Sequence, residues 1–173
     1  EFYSFKAKKL DAYWYAPPTG NLPRIFISEL RVNDLSDKAQ QIIYKYTDSI
    51  KSDPVDSINM NKPSEVIEFF EKPLWKLPTL EDYNELLSES EYAAWVIYNR
   101  YYLNHYTISV HELPHGYDRL EKFNAFLSEL DIKLNDAGGV IKTSKDGLLL
   151  QSSSVAEMIT AVFTGNKTQK IAG

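Results

Sequence analysis

The residues with the most chemical potential lie between positions 105 and 153. His111-Glu112-Leu113-Pro114-His115 matches the H-E-x-x-H pattern that holds zinc in metalloproteases. That chemistry needs both imidazoles on one face of a helix, one turn apart. Pro114 removes an amide donor and disfavours helical geometry at Leu113, so the segment reads as a strand-to-helix loop. His105 stands beside Asn104, on the polar face of an alternating stretch over 104–110. An imidazole there is either a structural hydrogen-bonding group or a metal ligand, and local spacing fixes no partner carboxylate. The glycines of 138–147 lack the G-x-x-x-x-G-K-[ST] order of a phosphate loop. Gln151 and Ser153 share one face at the end of an apolar strand. They either line a polar pocket or mark the strand's exit into solvent. Glu29, inside Phe-Ile-Ser-Glu-Leu, reads as an outward-facing carboxylate, because a buried one would need a partner. No nucleophile elbow is present, and the chain has no cysteine to serve as thiolate or zinc ligand.

The elements that must position these groups follow from periodicity. Alternation predicts strands over 2–8, 11–16 and 24–31, joined by turns into an antiparallel sheet. Ser36 caps a helix carrying Ile42, Ile43, Tyr46 and Ile50 at helical spacing. Residues 51–63 read as a loop, and 64–70 as a short helix stopped by Pro73. Thr79 with Asp82 resembles a capping pair opening a helix through Leu87, and a second helix runs over 89–101. The character then changes. A strand over 104–110 is followed by a helix with Leu120, Phe123, Leu127 and Leu130 on one stripe. Gly138-Gly139 marks a turn. Strands over 140–143 and 148–153 are joined at Lys145-Asp146-Gly147, and a last strand covers 158–163. The order from 104 to 163 is thus β-α-β-β-β. The three opening strands match the tail of a similar unit whose first strand and helix would precede Glu1.

Composition sets the outer bounds. The chain has 173 residues, 43% hydrophobic and 25% charged, as expected of a globular domain with a substantial core. A net charge of -5 argues against general nucleic-acid binding. No apolar run approaches the roughly 20 residues of a membrane helix. The lack of cysteine fits a reducing cytoplasm, and cytoplasmic localisation is expected. The twelve tyrosines and three tryptophans are a supply for core packing. The start at Glu1-Phe2-Tyr3, without methionine or signal peptide, suggests a processed or trimmed chain.

Several blocks together resemble the 2-oxoadipate dioxygenase/decarboxylase family. They are Leu103-Asn104-His105-Tyr106-Thr107-Ile108, Leu134-Asn135-Asp136-Ala137-Gly138-Gly139-Val140-Ile141-Lys142 and Asp146-Gly147-Leu148-Leu149-Leu150-Gln151-Ser152-Ser153-Ser154. Phe5-Lys6-Ala7-Lys8-Lys9-Leu10 and Phe26-Ile27-Ser28-Glu29-Leu30 extend the likeness over nearly the whole chain. The resemblance implies an α+β vicinal-oxygen-chelate fold of paired β-α-β-β-β modules. Residues 1–31 would end the first module, 32–102 form a mainly helical insertion and 103–173 form the second module of a single domain. It implies an Fe(II) site of two histidines and a glutamate, although another divalent metal is allowed. The second histidine falls on His105. The first histidine, with an arginine four residues after it that binds substrate carboxylate, would precede Glu1, and the glutamate would follow Gly173. With one ligand, the chain by itself is expected to hold metal weakly and to be inactive. The implied reaction joins 2-oxoadipate and O2 to give 2-hydroxyglutarate and CO2, a step of lysine catabolism. Lys142 could help fix the far carboxylate, but is more simply a solvated lysine. The alternatives are a metalloenzyme of the same fold acting on another 2-oxoacid, or a non-catalytic binding protein.

Overall fold

The structure, a computed structural model, describes residues 2–5, 9–15, 25–100 and 106–173. The chain divides into two compact units. One comprises Glu1–Tyr102 with Ala161–Gln169, and the other Leu103–Thr160 with Lys170–Gly173.

The first unit opens with the expected antiparallel sheet, β1 (Phe2–Phe5), β2 (Leu10–Tyr15) and β3 (Ile25–Leu30), in that order. The β2–β3 register sets Leu10 opposite Leu30, Asp11 opposite Glu29 and Tyr13 opposite Ile27. Because side chains alternate across a strand, Leu10, Ser28 and Leu30 share one face. Leu10 is buried, and the Ser28 hydroxyl lies 2.7 Å from the Tyr92 hydroxyl, so this face meets the helices. Ile25, Ile27 and Glu29 lie on the other face and are exposed, as expected for Glu29.

Four α-helices complete the unit among the described residues. The helix α1 (Asp37–Thr47) is capped by the Ser36 side chain on the Ala39 amide and buries Ala39, Ile42, Ile43 and Tyr46. Its end at Thr47 leaves Ile50 outside. Pro63 opens α2 (Pro63–Glu71) in the first turn, where a missing amide costs nothing. Thr79 caps α3 (Leu80–Glu89) through the Asp82 amide, and Ser90 caps α4 (Glu91–Asn99) through the Ala93 amide. Tyr83, Leu86, Ala93, Ala94 and Ile97 form the core between α3 and α4.

The second unit holds α5 (Leu120–Glu129), the two-residue strands β4 (Lys142–Thr143) and β5 (Leu150–Gln151), and part of the hairpin β6 (Met158–Val162) and β7 (Thr168–Ala172). The hairpin tip, 161–169, belongs to the first unit. There Phe163 is 1% exposed, with ring centroids 5.1 Å from Tyr83 and 5.0 Å from Tyr98. The Thr164 hydroxyl donates to the Leu77 carbonyl at 2.6 Å, and its amide to the Pro78 carbonyl at 3.0 Å.

Three expectations require correction. The strand over 104–110 is absent from its described part. Residues 106–109 are irregular and lead into a 3-10 turn, Val110–Glu112. Alternation suits a pleat, but a strand persists only with a ladder partner, and none pairs with 106–109 among the described residues. The strands over 140–143 and 148–153 shrink to two residues each. The Ser144 hydroxyl takes the Leu149 amide at 2.9 Å, a side-chain bond that competes with the ladder and widens the turn. The strand β7 lies outside the predicted elements. Its sequence, Thr-Gln-Lys-Ile-Ala, is too polar to stand out, and it forms because the turn with Gly165 at φ +78 and Asn166 at φ +58 returns the chain onto β6.

Candidate functional site

His105 lies outside the described residues. The other candidates in the second unit gather around one residue, Asn135. Its amide donates to the Ser153 carbonyl at 2.8 Å, and its carbonyl accepts from the Lys142 ammonium at 3.2 Å. This strap is continued by the antiparallel bridge of Leu134 with Ser154 and by the Val155 amide on the Lys133 carbonyl at 2.9 Å. Lys142 faces Gln151 directly in the β4–β5 register. The structure therefore brings Lys142, Gln151 and Ser153 into one patch.

The state of each group limits its chemistry. Lys142 turns its ammonium back to the Asn135 carbonyl and to the Gly139 carbonyl at 3.0 Å. Gly138 and Gly139, at φ +78 and +98, give the turn that presents that carbonyl. Gln151 and Ser153 are exposed. Beneath them, the Ser152 hydroxyl donates to Asn124 Oδ1 at 2.6 Å, tying the end of β5 to the buried polar position of α5. Asp146 organises the turn before β5. The Ser144 hydroxyl and then the Leu148 amide hold its carboxylate below the usual range.

His111 and His115 do not make a zinc site. His111 sits in the 3-10 turn and His115 beyond Pro114, with side chains 80% and 93% exposed. Their carboxylate neighbours are separate, Glu112 for His111 and Asp118 for His115, each at 3.7 Å. The two imidazoles share no helix, and the protease reading fails on that geometry. Among the described residues, no three His, Cys, Asp or Glu side chains converge as a metal site.

In the first unit, Asp82 is a partly buried acid held by two side-chain donors. It accepts from Tyr46 Oη at 2.5 Å and Lys45 Nζ at 2.6 Å. Burial pushes its carboxyl up, but the hydrogen bonds from Lys45, Tyr46 and Thr79 prevail and hold it low. Burial, with Asp82 second, pushes the Tyr46 hydroxyl up. A groove of about 400 Å³ beside this cluster is lined by Lys45, Tyr46, Trp75 and Lys76 among others.

Sequence reasoning misses one feature. At the end of α4, Asn99 Nδ2 and Arg100 Nε are buried without a hydrogen-bond partner. The pattern places both inside a helix over 89–101, and nothing in their types signals burial. Only the packing of α4 on its neighbours reveals them.

Comparison with known proteins adds identity to this geometry. The sequence pattern of the 2-oxoadipate dioxygenase/decarboxylase family matches residues 1–173. The chloroplastic 2-oxoadipate dioxygenase/decarboxylase of Arabidopsis thaliana is 43% identical over 96% of this chain and 46% of its own length. The chloroplastic/amyloplastic enzyme of Oryza sativa subsp. japonica is 42% identical over 96% and 47%. This chain thus spans about half the length of the curated relatives it matches. Among solved structures, the hydroxyglutarate synthase of Oryza sativa in complex with 2-oxoadipate superposes with a TM-score of 0.84. It is 41% identical, and the match covers 99% of this chain and 56% of that one. A protein of Ralstonia eutropha JMP134 assigned to the glyoxalase superfamily gives a TM-score of 0.74 at 17% identity, covering 99% and 57%, which speaks to fold alone. The mixed helical and small-sheet architecture is therefore glyoxalase-like. These relatives also overturn the cytoplasmic expectation, since both curated ones are plastid proteins. Lack of cysteine describes the chain's own redox chemistry and carries no address. No helix among the described residues is long and apolar enough to cross a membrane.

Proposed function

Because the chain belongs to the 2-oxoadipate dioxygenase/decarboxylase family, we propose that it is part of an enzyme converting 2-oxoadipate and O2 to 2-hydroxyglutarate and CO2. The observation that carries this reading is the family match along residues 1–173. The structural likeness to a hydroxyglutarate synthase solved with 2-oxoadipate supports the substrate class, a small 2-oxoacid. Residues 1–31 and 103–173 are assigned to two paired modules, and 32–102 to the insertion between them.

Fe(II) is the proposed metal and His105 one of its ligands, because neutral imidazole suits iron. The described residues do not themselves converge on a three-ligand site. The work assigned to them is support. The Asn135 strap and the Ser152–Asn124 bond hold the short β4–β5 pair rigid, so that Gln151 and Ser153 present polar groups at a fixed surface. Rigid supports of this kind are what keep a polar site in its productive geometry.

The test is oxygen uptake by the full-length protein with Fe(II) and 2-oxoadipate, beside a His105→Ala variant. Uptake matched by CO2 release and lost in the variant supports both the reaction and the ligand. A folded, iron-loaded protein that consumes no oxygen overturns the substrate assignment.

A further inference from the structure

The end of α4 is built in an unusual way. Asn99 is 7% exposed, and its Nδ2 has no acceptor. Arg100 follows at a positive φ, +59 with ψ −121, while its amide closes the helix on the Val96 carbonyl at 2.8 Å. A non-glycine residue held at such a φ is strained. Arg100 Nε is also buried and unpaired. A buried donor left without an acceptor is destabilising, the more so when the group is charged. Backbone strain and two buried, unpaired donors therefore coincide at adjacent residues.

Carboxylates of the neighbouring helix do not satisfy them. All four acids of α3 are engaged elsewhere. Glu81 pairs with Lys167, Asp82 with Lys45 and Tyr46, Glu85 with Lys38, and Glu89 with Lys9 and Ser36. Glu91 stands at the opposite end of α4, about 12 Å away at the helical rise. The corner thus offers a permanent cation and two N–H donors. Both nitrogens only donate, so the complement is an acceptor, and the guanidinium charge favours an anionic one. A flat carboxylate meets two such donors with its two oxygens. In the sequence, Arg100 precedes His105 by five residues.

We propose that Asn99 and Arg100 form a carboxylate-binding corner that takes one carboxylate of the dicarboxylic 2-oxoacid, an inference that rests on the substrate class proposed above. The corner binds and orients, and transfers nothing.

The test reads the donors themselves. In ¹⁵N-labelled full-length protein without added metal, the Asn99 side-chain amide and Arg100 Nε–H resonances are followed while 2-oxoadipate is added, and in a parallel titration inorganic phosphate. The expected result is saturable movement of both resonances with 2-oxoadipate at a lower concentration than with phosphate. Asn99→Ala and Arg100→Lys should each weaken that binding tenfold or more, the scale of a charged hydrogen bond. Resonances that stay still with both anions, or that respond to phosphate as tightly as to 2-oxoadipate, overturn the proposal. The titration of unsubstituted protein decides the matter even if a variant fails to fold. Binding at the corner in a protein that consumes no oxygen would leave the corner standing and remove only the reaction.

Discussion

Replacing Tyr46 by Phe isolates a single hydroxyl in the core of the first unit. The ring is 1% exposed, so Phe keeps the volume and the packing. What is lost is the donation to Asp82 Oδ2 at 2.5 Å and the acceptance of the Thr79 amide at 3.1 Å. The first is a hydrogen bond to a charged group, worth about 1.5–3 kcal/mol. The second leaves an amide at the N-cap of α3 without its partner, at roughly 1 kcal/mol or more. A loss of about 2–4 kcal/mol is expected, a large share of the roughly 5–15 kcal/mol of an ordinary domain. Lys45 also bonds Asp82, but its side chain is 47% exposed, so Lys45→Met should cost under about 1 kcal/mol. Urea unfolding at neutral pH, with the denaturant slope checked for constancy, measures both. The order matters more than either value. A Tyr46→Phe loss below about 1 kcal/mol, or a Lys45→Met loss equal to it, would refute the view that the hydroxyl is the principal partner of Asp82.

Phe163→Ala should destabilise by about 3–5 kcal/mol through the cavity it leaves between Tyr83 and Tyr98, while Phe163→Leu costs far less, and comparing the two urea midpoints checks this. Glu89 is held at about 2, below its ordinary 4.5, first by the Ser36 hydroxyl, then by Lys9 and the Ser36 amide. A depressed carboxylate contributes fully above its unfolded value and loses that contribution as pH falls through the folded one. Stability should therefore drop between about pH 4.5 and pH 2, and Glu89→Gln should flatten that part of the urea-midpoint profile. Gly147 adopts φ +74 with open space where a methyl would sit, so Gly147→Ala should cost about 1 kcal/mol from backbone strain alone, visible as a small shift in thermal midpoint.

Much of the scaffold is legible because local chemistry dictates it. Ser36 and Thr79 each bond the amide three residues on, and hydrophobic spacing places Ile42, Ile43 and Tyr46 on the buried side of α1. Pro114 alone is enough to break the H-E-x-x-H pattern. Alternation likewise locates the first three strands, since each has a neighbour to complete its ladder. The stretch 104–110 shows the limit, for the same alternation without a partner gives no strand over 106–109. The sequence by itself thus determined the caps, the helical faces, the opening sheet and, through its motif blocks, the family. Tertiary structure decided what depends on distant chain segments. It folded the Lys142 ammonium back onto carbonyls, placed Phe163 among the rings of α3 and α4, and buried two donors at Asn99 and Arg100. Periodicity reports which face of an element turns inward, whereas burial of a given polar atom depends on what packs over it, and only the assembled fold fixes that.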